Sequence, residues 1–401
     1  MSNWHQSYAR LQEYISQHPE IEITINGSCI PGEVREEFFR LFDVVRSDFV
    51  REAFPAQLKE AEVAGRAFLA AEKEAISCLK LKEVKIEQNL RWFLQDPVDG
   101  LRRRLFDPLF DLLRGALDAE GFEKTSTRIA EDLIQRYAHR SYAHWATLSL
   151  IPLLSPDSAH VVPIKDETID PYLTTEGRQG RFTETIPDLA TPEWLFLDAS
   201  QYVPLLVPKI ICHSAMLDTF VALRNGFHSV DYHAYELFKT IKTKQWHDLE
   251  DLRRRYGPHH LWPDIGLYLD SNPDELRIVA DYQHALWPEI IVDVMEAPDW
   301  YESGGLEIVR LHYEVLRPRL GSFVVYREAL PETAIPQGSQ AQATETGDEM
   351  APAPEEDTTT RLLRELPESI HLLSVGYDST RLGPIIEALA KSRPGPKQSA
   401  G

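Results

Sequence analysis

Cysteine is scarce in this chain of 401 residues: Cys29, Cys78 and Cys212 are odd in number and far apart. That pattern argues against a disulfide framework and suits a reducing compartment. Basic charge is in deficit as well, with Lys+Arg 42 against Asp+Glu 63 and a formal net charge of -21, which opposes attraction to nucleic-acid backbones or anionic lipid. The run Arg102, Arg103, Arg104 is the best candidate for a local basic patch, and its plainer reading is a solvated helix face. No run of about 18 apolar residues could span a bilayer. Residues 1–17 are polar and mixed in charge, without the basic and apolar regions of a signal peptide. A cytoplasmic protein without membrane insertion is therefore expected.

The familiar catalytic signatures are missing too. There is no glycine-rich phosphate loop, no Gly-x-Ser-x-Gly, no Cys-x-x-Cys and no His-Glu-x-x-His. Gly304-Gly305 reads as a turn. No internal repeat of convincing period is evident.

What is present is enough to fold. Hydrophobic residues at 43% and aromatics at 10% place the chain among globular proteins and away from disordered ones. Its length suggests more than one compact segment. After a short opening helix and a strand over 21–25, Pro31-Gly32-Glu33 looks like a helix entry. Phe38, Leu41, Phe42, Val45 and Phe49 then recur at three and four residues, the stripe of an amphipathic helix that Pro55 ends or kinks. Helical patterns continue over 56–81, around Leu90, Phe93 and Leu94, over 101–113, and from caps at Thr125, Ser126 and Thr127 to about Leu148. Further helices are expected over 205–223, 232–243 and 245–256. Strands are expected over 265–270 and 276–282, then as another pair over 307–315 and 322–327 joined through 316–321, and over 370–375, with a last helix over 382–389.

The class is α+β: an N-terminal helical bundle, then a mixed region with a small, mainly antiparallel sheet. The expected organisation is a helical bundle domain over 1–154, a Pro-rich connection over 155–195 and a mixed helical and antiparallel-sheet domain over 196–330. Residues 331–360 form an acidic insert with a disordered composition, 361–392 a β-α unit packing on the second domain, and 393–401 a flexible tail.

Histidine is the informative residue type, because imidazole both ligates metals and exchanges protons near neutrality. The tightest group is His228, Asp231 and His233 with Glu236. His233 and Glu236 would share a helix face, where a carboxylate can ligate a metal or act as base. His259 and His260 stand on a proline-bounded loop beside Trp262 and Asp264. A divalent transition metal held by His228, Asp231, His233, Glu236, His259 and His260 is the enzymatic expectation; surface ion pairs and turns are the plainer one. Cys212-His213 is a neighbouring nucleophile and base, although such pairs usually meet through the fold. His144 adjoins an apolar stripe as a core histidine would, while His139 sits on a more polar side. Trp287, Trp300 and Tyr301 belong in a cleft, an interface or, most commonly, the core.

The leading expectation is a binding or accessory protein whose partner is another protein, plausibly as a subunit or maturation factor of a larger assembly. The alternative is a metal-dependent enzyme, a hydrolase, using the central His/Asp/Glu cluster.

Overall fold

The structure is a computed structural model and describes residues 4–25, 27–163, 188–197, 208–225, 263–277, 288–330, 363 and 366–391. It is α+β and divides into two compact units. One comprises Met1–Ala70 and Ile86–Tyr142, the other Ala71–Lys85 and Ala143–Gly401.

The first unit is helical. Helix α1 (Trp4–Gln17) leads into a hairpin of β1 (Glu22–Thr24) and β2 (Gly27–Cys29), then α2 (Gly32–Ala53). The expected stripe of α2 is buried at Phe38, Phe42, Val45 and Phe49. Trp4 of α1 rests on this stripe, its ring centroid 6.1 Å from that of Phe49, and Ser7 Oγ donates to Asp48 Oδ2 at 2.6 Å. Pro55 does end α2, because it opens α3 (Pro55–Leu79), where a missing N–H costs nothing.

Helix α4 (Gln88–Gln95) packs so closely on α3 that a Cβ at Gly65 would lie 2.2 Å from the Leu94 carbonyl oxygen. The break expected near Asp96-Pro97 has a capping cause: Asp96 accepts the Asp99 N–H at 3.1 Å and Pro97 starts α5 (Pro97–Arg102). Helix α6 (Phe106–Leu113) completes an aromatic cluster of Phe38, Phe39, Phe42, Phe106 and Phe110. Helix α7 begins at Ala119 and reaches Leu153. Thr125, Ser126 and Thr127 therefore lie inside it and cap nothing, and Asp118 instead accepts the Gly121 N–H at 2.7 Å.

The second unit is built on a sheet. A parallel pair, β3 (Glu83–Lys85) and β5 (Trp194–Phe196), stands apart from it. The main sheet collects β4 (Pro156–His160), β6 (Ile210–Ser214), β7 (Thr219–Asn225), β8 (Ile265–Asp270), β9 (Ile290–Met295), β10 (Gly321–Tyr326) and β11 (Ile370–Ser374). Its seven strands lie in the order β11-β10-β9-β8-β7-β6-β4. Every pairing from β4 to β9 is antiparallel, whereas β9, β10 and β11 run parallel. Helix α8 (Gly305–Leu316) connects β9 to β10, the crossover that a parallel pair requires. Helix α9 (Gly383–Lys391) follows β11 after Asp378 caps the turn, with Pro384 in its first turn as expected.

Two of the expected elements are of the other type, and strands β4 and β9 fall where no element is expected. Residues 205–223 were expected to be helical, yet 210–214 and 219–225 are strands β6 and β7. Both of their faces are largely buried, so the apolar residues do not alternate and the run imitates a helical stripe. Conversely, 307–315 reads as strand by alternation but is helix α8, with Leu306, Val309 and Leu316 on its buried side. The helix is entered through Gly304 at a φ of 95°, the left-handed conformation that glycine tolerates. Gly304-Gly305 is thus the turn it was expected to be. The helices expected over 232–243 and 245–256, residues 278–282 of the strand expected over 276–282, the whole of 331–360 and the tail from 393 lie outside the described residues.

Candidate functional site

Strand β9 reads Ile-Ile-Val-Asp-Val-Met and is buried along almost its whole length, so the carboxyl group of Asp293 enters an apolar layer. A charge there is costly unless it is partnered. The partner comes from α8: His312 Nδ1 lies 2.7 Å from Asp293 Oδ1, and both side chains are 2% exposed. Leu306 and Val309 of the same helix pack on Val324 and Tyr326 of β10, which closes apolar walls around the pair.

Strand registers extend the polar row. Arg224 faces Gly266, Gly266 faces Ile291, and Asp293 faces Val324, so Arg224, Tyr268 and Asp293 share the face covered by α8. Arg224 is 2% exposed. Burial lowers its guanidinium to about 10, and the Tyr268 hydroxyl beside it works in the other direction. Burial raises the Tyr268 hydroxyl in turn, opposed by Arg224.

Two more acids flank this row. Asp264 Oδ2 accepts the Val294 N–H at 2.8 Å. Glu289 Oε2 accepts the Leu269 N–H at 2.9 Å, while its Oε1 meets Arg319 at 3.1 Å. Burial raises the Glu289 carboxyl above its usual range, against the lowering effect of the Leu269 N–H and Arg319. Arg224, Asp264, Asp293 and His312 each have at least one interaction beyond those named here. Chemically, the row can orient an imidazole, balance charge in a dry layer and tie neighbouring strands together. Among the described residues, no group of three or more His, Cys, Asp or Glu is placed to hold a metal ion.

The expected site residues His228, Asp231, His233, Glu236, His259 and His260 lie outside the described residues, as does Trp287. Other candidates have clear positions. Cys212 and His213 point to opposite faces of β6, as neighbours on a strand must. Burial, and secondarily Cys78, pushes the Cys212 thiol up to about 12, while His213 Nδ1 pairs with Asp157 Oδ1 at 2.9 Å. They form no nucleophile–base pair. His144 is a core residue at 3% exposure, and Trp300 is buried against Tyr326. Arg102 and Arg103 of the basic run spend their guanidinium groups on Asp99, at 2.5 and 2.8 Å.

Asp293 and His312 were not singled out in the sequence as a site. One signal was available: an acid at the centre of an apolar run and a histidine on an apolar helix that follows it. No family model matches the chain, and comparison with curated proteins and with solved structures likewise finds no match. Among the described residues, no helix is long and apolar enough to cross a membrane.

Proposed function

We propose that this chain is a binding or accessory protein, a subunit or maturation factor of a larger cytoplasmic assembly, whose partner is another protein. The observation supporting this reading is the use made of the sheet's buried ionisable groups. Asp264 and Glu289 accept main-chain N–H groups, and Asp293 is tied to His312. These are the duties of a frame, in which buried polar groups are satisfied in place and hold one arrangement. The test is native mass spectrometry of the protein isolated at its natural level from its own cells. A defined complex with a second protein is the expected result. A chain that is monomeric throughout and turns over a small molecule alone contradicts the reading.

One observation favours a second reading, a metal-dependent hydrolase. Strands β7 and β8 end on a common rung, Asn225 opposite Ile265, with Asp264 next to it. The connection between them carries His228, Asp231, His233, Glu236, His259 and His260, so it leaves and rejoins the sheet beside that acid. A divalent transition metal held by these side chains would activate water, with a carboxylate taking the proton. Elemental analysis of protein purified without tag or chelator decides between the two. Near-stoichiometric metal that is lost on His233→Ala and His259→Ala supports the hydrolase, and metal-free folded protein removes it.

A further inference from the structure

The sheet changes direction at β9, and the ladder is shortest between β8 and β9. β7 and β8 are paired from Phe220–Asp270 to Asn225–Ile265, and β9 and β10 from Ile290–Gly321 to Met295–Tyr326. Between β8 and β9 only Ile265–Val292, Gly266–Ile291 and Leu267–Ile290 are paired. Beyond the Leu267–Ile290 end one main-chain bond remains, from Glu289 N–H to the Leu267 carbonyl oxygen at 2.9 Å, and past it, as at the other end, side chains take over. Val294 N–H donates to Asp264 Oδ2 at 2.8 Å, and Leu269 N–H donates to Glu289 Oε2 at 2.9 Å.

The two acids hold equivalent places. Each strand is introduced by the same four-residue pattern, Trp262-Pro263-Asp264-Ile265 before β8 and Trp287-Pro288-Glu289-Ile290 before β9. Asp264 and Glu289 correspond, and so do the amides they receive: Leu269 stands as far beyond Asp264 as Val294 stands beyond Glu289. The arrangement is a local two-fold about the Gly266–Ile291 rung, in which each strand's entry acid caps the far end of the other. Proline before each acid has no N–H to extend the ladder, so the carboxylate is the last link available there.

We propose that the β8–β9 junction is the seam along which this sheet opens, and that Asp264 and Glu289 are reciprocal clasps that set how often it does. The sheet then behaves as two cooperative parts, an antiparallel one (β4, β6, β7, β8) and a parallel one (β9, β10, β11). Charge-assisted bonds at both ends compensate for the short ladder. Opening at this line wets Arg224 and the Asp293–His312 pair, which lie beside it on the face covered by α8, so the clasps control access to the buried polar row.

Residue-resolved amide hydrogen exchange on the full chain tests this, because exchange reports local and sub-global opening. Glu289→Ala is expected to speed exchange of Leu269 by about tenfold or more, the loss of one charged hydrogen bond. Val294, clasped at the opposite end, is expected to speed up with it, while the amides of β6 and β10 keep their protection. Asp264→Ala should give the same pair of changes. Glu289→Gln retains an acceptor oxygen of the same reach and should fall between wild type and Glu289→Ala; it carries the test alone if the alanine variants do not fold. Faster exchange confined to the directly clasped amide overturns the proposal. So does a rise spread evenly over all seven strands, or a Glu289→Gln variant exchanging as wild type does when the alanine variants cannot be read.

Discussion

The two units differ in how many ionisable groups they bury. In the helical unit the interior is aromatic and aliphatic, and most ion pairs sit near solvent: Arg40 with Glu37, and Arg102 and Arg103 with Asp99. Asp48 and Arg46 are the exceptions. Asp48 is buried under the Ser7 hydroxyl, and Arg46 is buried against the rings of Phe42 and Phe106 at 4.7 and 5.3 Å and holds Asp43 and the Arg102 carbonyl oxygen. The sheet unit also has exposed pairs, such as Lys82 with Glu193, but it buries more ionisable groups, at Arg224, Glu289, Asp293 and His312. A helix satisfies its own backbone except at its ends, where caps such as Asp96 and Asp118 serve it, and elsewhere leaves side chains the task of packing. A sheet whose strands change direction leaves main-chain groups at the ends of short ladders, and buried acids can serve them.

That contrast can be broken in several ways. The largest effect is expected in the apolar unit: Phe38, fully buried and ringed by Phe39, Phe42 and Phe110, should cost about 3–5 kcal/mol when changed to Ala, measured by denaturant unfolding. Gly65→Ala comes next, at about 1–3 kcal/mol, because its Cβ would meet the Leu94 carbonyl oxygen and force α3 and α4 apart. A cost below about 0.5 kcal/mol would mean that the two helices are not held at that approach.

The smallest effect, about 1 kcal/mol, carries the most information because its sign differs between the units. Burial raises the Asp99 carboxyl, but the hydrogen bonds and charges of Arg102 and Arg103 outweigh it and leave the group below its usual value. The folded state then releases this proton more readily than the unfolded state. Its stabilisation is present above the unfolded pKa and is lost as pH falls through the depressed folded one. Glu289 is raised, chiefly by burial. Its contribution is fully present below the unfolded pKa and is lost as pH rises through the elevated folded value. Stability of wild type relative to Asp99→Asn should therefore grow with rising pH across the carboxylate range, and relative to Glu289→Gln it should shrink. Thermal melts of the three proteins from acid to neutral pH check both slopes, and slopes of the same sign would erase the distinction between the units.

Much of the helical unit was legible in the sequence because one stripe at helical spacing, from Phe38 to Phe49, and two prolines at helix starts, Pro55 and Pro97, are local signals. The sheet was harder. Strands buried on both faces, such as β6 and β9, lose the alternation that marks a half-exposed strand, and α8 between two strands alternates by accident. The Asp293–His312 pair joins elements that only the fold brings together, and the equivalence of Asp264 and Glu289 rests on a pattern too short to register as a repeat. The histidine cluster at His228 to His260 was read from spacing alone, a signal that specifies residue types without placing them.

The central claim is that the buried charges at the change of strand direction hold the sheet together, and a double-mutant cycle at Asp293 and His312 tests it most directly. Unfolding free energies would be measured for wild type, Asp293→Leu, His312→Leu and the double variant. Each single change should cost about 3–5 kcal/mol by breaking the bond between two buried side chains, and the double change should cost much less than their sum. Single variants as stable as wild type, with additive effects, would show that the pair does not hold the sheet and would contradict the account.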